Sequence, residues 1–162
     1  MIAMTLHEVK ECMSKLLLSE TFDPFYFIEG EITTFSTFKI NGYLKKDFFE
    51  KDEIPAREFA LWKEMREFCF SLIKGKRTPL NFQFVFGLSN YNIEKLLKQQ
   101  SLDFQPSDVA GLYLNIKFDG QTLHCTTGTA MNLFTMDKSL EHAWDQMVQK
   151  FFSQKGISYE LL

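Results

Sequence analysis

The chain is poor in the residues that cross-link or punctuate a fold, with 3 Cys, 4 Pro and 8 Gly among 162 residues. Cys12, Cys69 and Cys125 are odd in number and widely spaced, which excludes a disulfide framework and a C-x-x-C redox or zinc module. Free thiols of this kind fit a reducing, cytoplasmic setting. No apolar run approaches the roughly 20 residues of a membrane-spanning helix, since Phe68 to Ile73 and Phe82 to Leu88 are the longest uncharged ones. The opening Met1-Ile2-Ala3-Met4 has no basic n-region, and charge arrives at His7, Glu8 and Lys10 before a leader core could form. We expect no membrane partner. An excess of cations is missing too: 18 Lys and Arg stand against 21 Asp and Glu, a net charge of −3. No global field draws in nucleic acid, so any such contact must be local.

What is present is apolar and aromatic. Hydrophobic residues make up 45% of the chain, 18 of them Phe, and a domain of this length can bury roughly 70% of its unfolded surface. The patterning predicts a single α+β domain over residues 1–162, a mainly antiparallel sheet with four helices. Thr5 and Glu8 have capping-box spacing, and Leu6, Val9, Met13, Leu16 and Leu17 continue as a helical stripe. Phe25 to Leu44 reads as two strands joined by an Asn41-Gly42 turn. A second helix follows Pro55, with Phe59, Trp62, Met65, Cys69, Leu72 and Ile73 on its stripe and Phe68 and Phe70 widening it. Phe82, Phe84 and Phe86 face one side of an interior strand, after which Ser89 or Asn90 opens a third helix. Leu112, Leu114, Ile116 and Phe118 alternate up to a turn at Asp119-Gly120, and Gly128 marks a bulge on the return strand. Leu140, Ala143, Trp144, Met147, Val148 and Phe151 trace a fourth helix, followed by a closing strand over Ile157 to Leu161.

The two halves of the chain echo one another. Lys15-Leu16-Leu17 recurs as Lys95-Leu96-Leu97, and Asp23 as Asp103. The turn in Phe38-Lys39-Ile40-Asn41-Gly42 recurs in Ile116-Lys117-Phe118-Asp119-Gly120, and Trp62, Met65, Phe70 and Ser71 recur as Trp144, Met147, Phe152 and Ser153. Ordered matches separated by about half the chain predict an internal duplication, with repeats over residues 1–79 and 80–162 sharing one core about a pseudo-twofold axis. Each unit reads as αββα. With a strand at Ile2 to Met4 it can also be phased β-α-β-β-β, the half-domain pattern that resembles DNA sliding clamps.

No constellation of catalytic residues stands out, and no metal or cofactor site is expected. His124 and Cys125 are adjacent on a strand and point to opposite faces, the thiol inward. His142 with Asp145, and His7 with Glu11, have the spacing of ordinary surface pairs. Thr126, Thr127, Gly128 and Thr129 lack the Gly-Lys-Ser continuation of a phosphate-binding loop. Glu29 and Glu31 share one strand face. Lys74, Lys76 and Arg77 form the one concentrated basic patch, and together with His124, Thr126 and Thr127 they are the candidate binding residues. Phe22, Phe25, Phe48 and Phe49 escape the periodicity and mark a place to look for a groove.

The segments TTFSTFKINGYL, WKEMREFCFSLIKGKRTPLNF, LHCTTGT and KSLEHAWDQMVQKFF resemble a small uncharacterised bacterial family, a domain of unknown function, over nearly the whole chain. That resemblance implies no activity, cofactor or site residues. The expected role is a non-catalytic binding or scaffold protein whose partner, another protein, docks on a surface between the repeats. The alternatives are a nucleic-acid-associated protein of clamp-like fold, relying on Lys74 to Arg77, and a small-molecule binder or enzyme built on Glu29, Glu31, His124 and the Thr126 to Thr129 segment.

Overall fold

Alternation of large apolar and polar residues along the strands decides the architecture, because a pleated strand presents successive side chains to opposite faces. A computed structural model describes residues 1–162. In chain order the elements are β1 (Ala3–Leu6), α1 (Val9–Leu17), β2 (Tyr26–Thr33), β3 (Thr37–Asn41), β4 (Ala60–Leu61), α2 (Trp62–Ile73), β5 (Asn81–Gly87), α3 (Asn90–Gln99), β6 (Val109–Phe118), β7 (Leu123–Met131), α4 (Ser139–Gln154) and β8 (Tyr159–Leu161). The strands form one eight-stranded sheet in the order β3-β2-β5-β6-β7-β1-β8, with β4 also paired to β2, and every pairing is antiparallel. The α+β class, the four helices and the antiparallel sheet agree with the sequence reading.

One face of the sheet is buried. Phe82, Phe84 and Phe86 of β5 and Leu112, Leu114, Ile116 and Phe118 of β6 lie beneath α2 and α4 in a single core cluster. Phe22 and Phe25, expected near a groove, belong to this core: their rings pack on Phe86 and Phe151 at centroid separations of 5.4 to 6.2 Å. An aperiodic loop can supply core side chains as readily as a helix, and aromatic pairs at such separations add stability beyond their buried area. Of the other two, Phe48 is exposed and Phe49 half-buried.

Several local expectations are revised. Thr5 lies within β1, paired with His124 and Glu160, so it caps nothing. The helix starts after Glu8, whose backbone is left-handed at φ 52. The hairpin between β2 and β3 turns at Thr34–Ser36, where the Thr34 N–H donates to the Ser36 carbonyl at 2.9 Å. Phe59 precedes α2, which begins at Trp62, and Phe68 is exposed. Gly128 stands opposite Tyr113 in regular register, and the irregularity on this hairpin lies between Val109 and Gly111.

The connectivity does not confirm the internal duplication. Exchanging β1 with β5 and β2 with β6 would turn the β5–β6 pairing into a β1–β2 pairing, whereas β1 pairs with β7 and β8. Trp62 is the first residue of α2 and its indole N–H donates to the Leu16 carbonyl of α1, while Trp144 lies well inside α4 and donates to Tyr113 of β6. Asp23 is buried and held by Arg66 through two bonds of 2.9 and 3.1 Å, whereas Asp103 is exposed.

Candidate functional site

Helices α2 and α4 pack on one face of the sheet, and on the other the strand register states which residues stand side by side. One row runs Lys39, Glu31, Gln83, Lys117, His124, Thr5 across β3, β2, β5, β6, β7 and β1. The next runs Asn41, Glu29, Val85, Asn115, Thr126, Ala3. A bulge in β2 between Phe27 and Glu29 creates this arrangement, because it reverses the alternation: Phe27 and Ile32 both face the core although they are an odd number of residues apart. Bulges re-aim side chains in this way. Here the bulge turns Glu29 and Glu31 outward and adds Ile28 to the rim.

Over β3, β2 and β5 the open face deepens into a cleft of about 540 Å³. Its apolar walls are Ile28, Val85 and the Tyr43–Phe59 pair, whose rings meet edge-to-face at 5.9 Å across an isolated backbone bridge. Lys45 places its ammonium 5.0 Å from the Tyr43 ring centre. Glu29 and Glu31 are exposed in the cleft, and neither has a cation within ion-pair distance, although Lys39 is the register neighbour of Glu31. Gln83 is fixed by donating to the Asn115 side chain at 3.1 Å. The cleft therefore offers apolar walls beside two carboxylates free to accept a partner's donors.

The residues singled out from sequence fall in three places. His124 and Thr126 stand on the open face, His124 within 2.9 Å of the Thr122 hydroxyl and 3.7 Å of Asp119. Thr127 points inward, where its hydroxyl accepts from the Ile2 N–H at 3.0 Å and donates to Asp145 at 2.5 Å. That bond makes Asp145 a buried carboxylate rather than half of a surface pair with His142, and His7 lies nearest Glu160, at 3.9 Å. Lys74, Lys76 and Arg77 lie beyond the end of α2. His124 is in the same row as Glu31 but three strand spacings away, about 14 Å, so those two groups do not share a site. Burial pushes the Cys69 thiol up to about 12 and the Cys125 thiol higher still, which keeps both protonated at neutral pH.

Sequence reading missed the cleft walls. Tyr43 and Phe59 meet only because β4 folds back beside the end of β3, and no local pattern in either segment announces the contact. No helix is long and apolar enough to cross a membrane. No curated protein and no solved structure matches the chain. A model described as a family of unknown function, DUF5721, matches residues 15–160, and the chain belongs to that family.

Proposed function

We propose that this protein is a non-catalytic binding protein whose open sheet face, at the junction of the first and second halves of the chain, receives a segment of another protein. The observation that carries the reading is the pairing of apolar walls with two unpaired carboxylates in one cleft. Binding sites combine apolar lining with a few placed polar groups in this manner. A complementary segment carries Lys or Arg beside aliphatic or aromatic residues. The cleft sets no histidine, cysteine, serine or threonine beside its two carboxylates, which supports binding over nucleophilic chemistry.

Titration against synthetic peptides that combine apolar residues with Lys, beside a matched set bearing Glu, tests the proposal. The cationic set should bind, and Glu29→Lys with Glu31→Lys should weaken it about tenfold or more, equivalent to about 1.4 kcal/mol. Equal binding of the acidic set, or indifference to charge reversal, would overturn it.

A further inference from the structure

At the end of the sheet from which β5 departs, a second concavity of about 620 Å³ lies between the β2–β3 turn and the segment that follows α2. Its 12 lining residues include Lys74, Lys76 and Arg77 and no acid. In a chain of net charge −3 that is a local concentration of positive potential. All three cations are exposed, and no carboxylate lies within ion-pair distance of any of them. A helix-end role accounts for one cation at most, because the dipole effect fades beyond the last turn. Lys74 caps α2, while Lys76 and Arg77 lie past that turn; α4 ends with the single cation Lys155.

The second feature is aromatic. Phe35, in the β2–β3 turn beside the cations, is 93% exposed and touches Phe38 edge-to-face at 5.8 Å, so most of its ring surface is free. Leu80, whose N–H donates to the Thr33 carbonyl beside that turn, also lines the concavity and is 64% exposed. Leaving a phenyl ring in water contributes nothing to folding, and an acidic peptide would use the cations but not the ring. A chain of phosphates carrying unpaired bases uses both, since cations track its backbone and exposed rings stack on its bases. In a duplex the bases are already stacked and unavailable.

We propose that this groove binds single-stranded nucleic acid, with Lys74, Lys76 and Arg77 on the phosphates and Phe35 stacked on a base. The site is separate from the open sheet face, and either proposal can fail without the other. Anisotropy of labelled oligothymidylate and oligouridylate, measured between about 50 and about 200 mM salt with polyglutamate and duplex DNA as competitors, tests it. Three phosphate contacts predict a slope of log K against log salt of about −2, and Lys76→Ala with Arg77→Ala should bring it to about −0.7. Phe35→Ala should weaken binding about fivefold or more at every salt concentration and leave the slope unchanged. All these side chains are exposed, so the variants keep the fold, which circular dichroism verifies. Absence of salt-dependent binding, equal competition by polyglutamate or by duplex, or an unaffected Phe35→Ala variant would overturn the proposal.

Discussion

Asn41-Gly42 and Asp119-Gly120 look like the same hairpin signal, yet only the second is a turn. Gly120 adopts φ 103 between β6 and β7, and Asp119 accepts from the Gln121 and Thr122 N–H groups and from the Thr122 hydroxyl at 2.7 to 2.9 Å. Asn41 closes β3, and Gly42 has no positive φ. Its N–H donates to Ile28 and its carbonyl accepts from Ala60, so the backbone is clasped between two strands. A Cβ there would lie 1.8 Å from the Phe27 carbonyl oxygen. Glycine can thus be required for its conformation or for its size, and the dipeptide does not say which.

Alanine substitution separates the two requirements. Gly42→Ala drives a methyl group into backbone that cannot yield and should cost about 3 kcal/mol or more, the larger end of overpacking effects. Gly120→Ala brings its methyl to 3.0 Å from the Leu80 carbonyl, a tight contact but far short of the overlap at Gly42, and adds the left-handed penalty, about 1–2 kcal/mol. Urea denaturation with unchanged m-values measures both. Equal losses would mean that the two glycines have the same role.

The two tryptophans extend the comparison from turns to helices. Trp62 donates at 2.8 Å to Leu16, one of the last carbonyls of α1 and so without an intrahelical partner. Trp144 donates at 3.0 Å to Tyr113, in a strand paired on both sides. Trp62→Phe should therefore cost about 1–3 kcal/mol through an orphaned buried carbonyl, and Trp144→Phe measurably less. Matching losses would point back toward equivalent halves.

These contrasts mark what the sequence could disclose. Helix α3 was legible because Ser89 accepts from Asn92 at its start while Ile93, Leu96 and Leu97 keep helical spacing, and β6 because its alternation is unbroken from Leu112 to the turn. β2 was not, because one bulged residue reverses the phase of its faces. The basic groove was half legible: its cations are contiguous, but Phe35 joins them only through the fold of the β2–β3 turn. The sheet-face cleft was hidden, since strand order and not spacing along the chain sets Val85 beside Glu29 and Phe59 against Tyr43. Thr127 read as a candidate binding residue because nothing local reveals that Asp145 faces it from α4.

The smallest effect separates the two dipeptides by charge. Three donated hydrogen bonds, with the nearby His124 adding a minor contribution, hold the Asp119 carboxyl below its ordinary value; Asn41, whose side chain accepts only from the Tyr43 N–H at 2.7 Å, cannot titrate. A carboxyl depressed in the folded state adds stability that is complete above its unfolded value near 3.9 and is lost as pH falls through the folded one. Asp119→Asn should therefore flatten the acid limb of the stability curve, so that wild type loses more of its denaturation midpoint between neutral pH and about pH 3 than the variant does. Asn41→Ala should shift the midpoint equally at both pH values. An acid limb unchanged by Asp119→Asn would show that the turn keeps its carboxyl bonds in the unfolded chain as well, which would make Asp119-Gly120 a locally encoded hairpin and widen its difference from Asn41-Gly42, whose form depends on β2 and β4.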